Sequence, residues 1–280
     1  MTPQSLLQGY VEISSLPMMF VRITEAINNP RTSVNEISKI ISEDPGLTAR
    51  LLRVVNSAFY NFPTKIDTIS RAVTIVGTQQ LRDLALATSV IRLFKGIPRE
   101  LVNMESFWRH SIACGAAART FAAYRRESNI ERFFVAGILH DLGRLVIFGK
   151  IPDQAREALA MAEEKNISLL QAERTVLGFD HALVGRALLQ QWKLPNNLVD
   201  VVSYHHLPTN SVAFPNETAI IHIADIFAHT LGLGASGERS VPAFSIEAWD
   251  LMGMQTSIIP SVIKEVERQY DEAIYAILSE

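Results

Sequence analysis

Apolar residues recur along nearly the whole chain at the 3.6-residue spacing of helices, and no stretch shows the clear alternation of a strand. Residues 3–13 and 17–28 read as two short helices, the second opening near Pro17 and closing at Asn28-Asn29-Pro30. Ser33 and Glu36 form a capping-box pattern ahead of Val34, Ile37, Ile40 and Ile41. Asp44-Pro45 reads as an N-cap followed by a first-turn proline, opening a helix through Leu47, Leu51, Leu52 and Val55. Asn61 to Lys65 is a predicted loop. Asp67 is the expected cap of a helix that Gly77 ends, and residues 79–94 supply another, rich in Leu and Ala. The spacing then predicts helices near 99–126, 131–140, 153–164, 168–177, 180–192, 195–206 and 216–232. A Gly-rich connection, Gly232 to Gly237, leads to a final helix pair. The last helix carries Ile259, Val262, Ile263, Val266, Tyr270, Ile274 and Ile277 on one side. The fold class this predicts is all-α, a multi-helix bundle.

Gly96-Ile97-Pro98 is the best internal boundary, because all seven histidines follow it. The expected division is an N-terminal helical subdomain over 1–96, a histidine-bearing helical core over 97–235, and C-terminal helices over 236–280 packed on that core. With 280 residues and 48% hydrophobic content, the chain can bury a large core. A net charge of −3 supplies no field toward nucleic acid or anionic lipid. No apolar run reaches membrane-spanning length, and no basic-then-apolar leader opens the chain. The single cysteine, Cys114, excludes an internal disulfide framework. These features together predict a cytoplasmic protein with no membrane partner.

The apolar run Val135 to Val146 holds an adjacent His140-Asp141 pair, with Gly143 two residues on. Burying a carboxylate and an imidazole side by side is costly unless something compensates, and a metal ion accepts both. The bland alternative is a helix end capped by polar side chains. Other candidates join the pair: His110 in an apolar-faced helix, His181 near a helix start, His205-His206 at a helix end, and Asp225 within an apolar helix. A bundle can bring these five segments to one interior point. Five imidazoles and two carboxylates suit two ions with Asp141 bridging them. Mixed nitrogen and oxygen donors favour iron, manganese, nickel or zinc. Read one at a time, His205-His206 also fits a solvated helix terminus. His222 and His229 read as ordinary packing or surface residues, His222 being near enough to Asp225 to support a ligand. Cys114 reads as a small packing residue.

The order His110, His140-Asp141, His181, His205-His206, Asp225 resembles the HD superfamily of metal-dependent phosphohydrolases, and within it the HD-GYP cyclic-dinucleotide phosphodiesterases. The whole chain is similar to the HDOD family, the HD-related output domain of bacterial signalling proteins, from about residue 15 to about residue 230. That likeness rests on Glu43 to Leu52, Asn56-Ser57-Ala58-Phe59-Tyr60, Asp180-His181-Ala182, Trp192 to Pro195 and Tyr204-His205-His206. It implies an HD-like helical core with an additional N-terminal helical subdomain, and a regulatory role exercised through a protein partner or a phosphate-containing small ligand. Three positions depart from the phosphodiesterases. Leu207-Pro208-Thr209-Asn210 replaces their Glu and Gly-Tyr-Pro loop. Arg144 replaces their lysine, and Ser106 stands where three-metal members carry Glu.

Two function classes follow. One is a signalling module that retains its metal site and engages a protein through apolar residues of the N-terminal helices. The other is a phosphohydrolase in which the ions activate water while Arg144, and Arg186 or Lys193, hold phosphate. A third reading, DNA binding by a helix-turn-helix at 33–56 using Arg50 and Arg53, is disfavoured by an apolar second helix and the acidic balance.

Overall fold

The computed structural model of the chain describes residues 1–8, 15–57, 59–60 and 62–278. Among these residues no strand occurs. The α-helices run α1 (Pro3–Leu7), α2 (Met18–Asn28), α3 (Val34–Ser42), α4 (Pro45–Val55), α5 (Ile69–Val76), α6 (Thr78–Val90) and α7 (Met104–Tyr124). They continue as α8 (Glu131–Leu139), α9 (Leu142–Lys150), α10 (Pro152–Lys165), α11 (Leu169–Leu177), α12 (His181–Gln191) and α13 (Asn196–Tyr204). The last three are α14 (Pro215–Thr230), α15 (Ile246–Met252) and α16 (Ile259–Leu278). The all-α expectation holds. No helix among the described residues is long and apolar enough to cross a membrane.

Local capping chemistry accounts for many of the boundaries. The Ser33 hydroxyl accepts from the Glu36 amide while the Glu36 carboxylate accepts from the Ser33 amide, the reciprocal pair expected at that start. Asp44 accepts from the Leu47 amide ahead of Pro45. Some expectations are corrected. Thr68, not Asp67, caps α5 by accepting from the Arg71 amide. Helix α7 begins at Met104 rather than near 99, because Asn103 caps it by accepting from Ser106. Helix α1 ends at Leu7, and the rest of the segment expected over 3–13 reaches residues 9–14, outside the described set, as do Ala58 and Asn61. Helix α9 departs most from the expected elements, since periodicity predicts none over residues 141–152. The helix breaks at Asp141 (φ −102°, ψ 8°) and restarts one residue later.

Contacts divide the chain into two compact units, one of Met1–Ser15 and Phe94–Val262, the other of Leu16–Leu93 and Ile263–Glu280. This differs from the expected division at both ends. Leu6 and Leu7 of α1 are buried, and α1 packs on α9 and α12 of the histidine-bearing unit. Most of α16 belongs to the other unit, with Val266, Tyr270, Ala273 and Ile277 buried. Helical periodicity names the face that is covered but not what covers it.

In the smaller unit α2 to α6 pack around Phe20, Ile23, Ile41, Leu51, Val55 and Leu84. Asn56 ties its loop: its amide nitrogen donates to the Leu52 and Ile66 carbonyls, and its oxygen accepts from the Ile66 amide. In the larger unit α7 is flanked by α8 and α14, and α9 by α12. Glycines set these distances. A Cβ on Gly137 would stand 2.4 Å from the Gly115 nitrogen of α7, and one on Gly143 1.9 Å from the His181 carbonyl oxygen. The two helices flanking His140-Asp141 are thus pressed against the helices that carry His110 and His181.

Candidate metal centre

The predicted residues converge. His110 comes from α7, His140 from the end of α8, Asp141 from the break before α9, His181 from the first position of α12, His205 and His206 from the end of α13, and Asp225 from α14. They fall into two groups, each with its donor atoms within 4.8 Å of one another: His110, His140 and Asp225, and Asp141, His181, His205 and His206. Asp141 joins them. Its Oδ2 lies 3.4 Å from His140 Nε2 and 3.9 Å from His110 Nε2. Its Oδ1 lies 3.2 Å from His181 Nε2 and 3.7 Å from His205 Nε2. One carboxylate therefore offers an oxygen to each group, as a bridging ligand does.

The surroundings fix how the imidazoles present themselves. His140 Nδ1 donates to the Gly137 carbonyl at 2.7 Å, and His205 Nδ1 to the Val202 carbonyl at 2.9 Å. His181 Nδ1 donates to Glu173 Oε2 at 2.6 Å, and the same oxygen accepts from the His181 amide at 2.9 Å. With Nδ1 committed, Nε2 is left as the donor atom facing the cluster. His140 Nε2, His205 Nε2, Asp141 Oδ1, Asp225 Oδ1 and both ring nitrogens of His110 are buried with no hydrogen-bond partner. Orphaned polar atoms in a dry interior are costly, and here they all belong to good metal donors. Nε2 of His181 and of His206 stand 2.9 Å apart. Two donors at right angles on one ion, with bonds of about 2.1 Å, would stand about 3 Å apart. The nitrogen and oxygen donors gathered here fit bound metal.

Without ions the site shares protons unevenly. Burial would depress His140, but the adjacent Asp141 carboxylate overrides it and holds the imidazole well above its usual range. Burial would raise Asp141, but the Arg144 guanidinium and His140 hold it well below. Burial would likewise raise Asp225, but the His110 and His140 imidazoles beside it hold it well below. His181 resists burial through Glu173 and is raised to about 9. His205 and His206 are pushed down, by burial first.

Some residues turn out differently from their sequence reading. Arg144 is 1% exposed; its Nη1 lies 3.2 Å from Asp141 Oδ2 and donates to the Ser236 hydroxyl at 2.5 Å. Arg186 and Lys193 are exposed. His222 is a brace: its Nδ1 donates to the His205 carbonyl at 2.7 Å and its Nε2 accepts from the Ser245 amide at 3.2 Å. His229 is no ordinary surface residue, since its ring packs 4.5 Å from His110. Glu173 is a site residue that the sequence pattern does not mark, beyond a carboxylate eight residues before His181 in an amphipathic helix. Cys114 is buried, and burial pushes its thiol pKa up.

The family pattern of the HDOD domain matches residues 13–208, well over half of the chain. The chain belongs to the HDOD family. The matched segment ends before α14, so Asp225 lies beyond it. An uncharacterized protein of Treponema pallidum (strain Nichols) is 29% identical over 218 residues, which are 74% of this chain and 42% of that protein. The chain thus spans less than half of that relative. Among solved structures, an HDOD domain protein of unknown function from Geobacter sulfurreducens is 25% identical with a TM-score of 0.78, over 94% of this chain and 93% of that one. A protein from Shewanella amazonensis SB2B, provisionally named a phosphohydrolase, is 26% identical with a TM-score of 0.76, over 98% of both chains.

Proposed function

We propose that this HDOD protein is a bacterial signal-transduction module in which a dinuclear metal centre holds the larger unit in one conformation and a protein partner or small ligand reads it. The observation that carries this reading is the state of Arg144. It stands where the related phosphodiesterases place a substrate-handling lysine, yet it is fully buried between Asp141 and Ser236. A guanidinium so engaged serves the bridging carboxylate rather than an incoming phosphate. His140, Asp141, His181 and His205 are enclosed in the same way, with side chains no more than 2% exposed.

A second reading, metal-dependent phosphohydrolase, has its own support. Two donor groups sharing one carboxylate are the arrangement that supports phosphoester hydrolysis, where paired ions polarise the phosphoryl group and lower the pKa of water. In that case His110, His140 and Asp225 would hold one ion, and His181, His205 and His206 the other. Glu173 would keep His181 oriented, and Arg144 would keep Asp141 ionised. The deciding assay is turnover of cyclic-di-GMP by iron- and manganese-loaded protein, with Asp141→Ala as the blank. The regulatory reading expects negligible cleavage in both. Robust cleavage in the wild type, absent from the blank, replaces it with the second.

A further inference from the structure

One residue of the cluster has no role in either reading. His229 lies one helical turn after Asp225 on α14, so both side chains project from the same face. Its Nε2 is 3.5 Å from Asp225 Oδ1. The same oxygen has His110 Nε2 at 3.0 Å and His140 Nε2 at 3.5 Å. Three imidazole nitrogens thus lie within 3.5 Å of one carboxylate oxygen, with His229 standing outside the trio whose donors are all within 4.8 Å of one another. That oxygen and the Nε2 atoms of His110 and His140 are buried without a hydrogen-bond partner, so the gathering is not a hydrogen-bond network. The His229 side chain is 8% exposed, which leaves it at the rim of an otherwise closed site.

We infer that His229 is a further ligand of the ion held by His110, His140 and Asp225. This rests on the metal reading above. It makes the two sites unequal. The first ion takes three imidazoles, Asp225 and one oxygen of the bridging Asp141, close to a full octahedral set. The second takes three imidazoles and the other oxygen of Asp141, and keeps more room for an outside ligand. A nitrogen-rich first site favours iron, nickel or zinc over manganese or magnesium. Asymmetry of this kind fits a centre in which one ion holds structure and the other answers to a ligand.

The test uses the full chain, purified without a tag, stripped and titrated with Co²⁺, whose visible absorption reports coordination number. His229→Ala should weaken one of the two ions by more than the roughly 10–100-fold that loss of an orienting partner costs. At limiting metal the stoichiometry should fall toward one, the spectrum should change, and free imidazole should restore both. His229→Gln keeps side-chain volume and an amide able to donate to Asp225, without an imidazole donor, and it should fail like the Ala variant. Melting curves of the metal-free variants establish that both are folded, and if Ala is not, Gln decides. Wild-type affinity and spectrum in the Gln variant would overturn the inference, leaving His229 as a support for Asp225. A wild-type chain that takes up no cobalt would overturn the metal reading itself.

Discussion

Gly143 offers the sharpest structural test, because it lies beside the ligands without being one. A methyl group at this position would sit 1.9 Å from the His181 carbonyl oxygen and 2.7 Å from the Gly185 nitrogen. Both obstacles are backbone, so no side-chain rotation relieves them. Retreat to ordinary contact at about 3.4 Å requires α12 to move away from α9 by roughly 1.5 Å. Overpacking of a tight core costs about 1–3 kcal/mol, occasionally more, and a backbone clash this severe belongs at the upper end. At about 2–4 °C per kcal/mol for a domain of this size, Gly143→Ala should melt roughly 6–12 °C lower. Function should suffer further, because ligand geometry tolerates only about 0.5 Å. His181 would be carried away from Asp141 and His205, so bound metal should drop toward one ion. Calorimetry and metal analysis on the same preparation read both effects. A Gly143→Ala protein with wild-type melting and two ions would show that the close approach of α9 and α12 does not set the site.

Three further outcomes are expected. Glu173→Gln removes the negative charge that orients His181, and should weaken one ion about 10–100-fold while leaving the fold intact; equal affinity by titration would contradict it. Metal uptake near pH 7 should release protons, since His181, raised to about 9, and His140 must shed theirs to bind, and affinity should climb as pH rises toward 9; calorimetry in buffers of different ionisation enthalpy measures this, and zero release would refute it. The metal-free protein should be most stable at about pH 6.5 and lose stability both toward pH 9 and toward pH 4. The His181–Glu173 contribution is complete below 6.5 and lost as pH rises through about 9, while that of His229, buried neutral and depressed to about 4, is complete above 6.5 and lost as pH falls through 4. Denaturant midpoints across that range provide the check.

Helix existence was legible because it depends on local spacing and caps, as Ser33 with Glu36 and Asp44 with Pro45 illustrate. Helix α9 was not, since the run from Val135 to Val146 is apolar on every side. Periodicity vanishes in a segment buried all round, and the break at Asp141 is set by the site rather than by a breaker residue. The ligand set was legible because polar residues in apolar runs stand out against their surroundings. Glu173 was not, since it lies in a helix with an exposed face, and His229 was not, since it stands in the last turn of α14, where a histidine suits the helix terminus. The commitment of Arg144 to Ser236 joins residues 92 positions apart, and no local pattern foretells such a contact.

A dinuclear centre bridged by Asp141 makes metal content depend on that one carboxylate, a dependence that metal analysis of Asp141→Ala beside the wild type reads out. Protein purified without a tag or chelator, after growth with iron, manganese and zinc, should carry about two ions per chain. Asp141→Ala should carry one or none, and chelation of the wild type should lower its melting temperature because the donors then face one another unpaired. A wild-type chain that stays metal-free under these conditions, or an Asp141→Ala chain that still holds two ions, would rule out a bridged dinuclear centre.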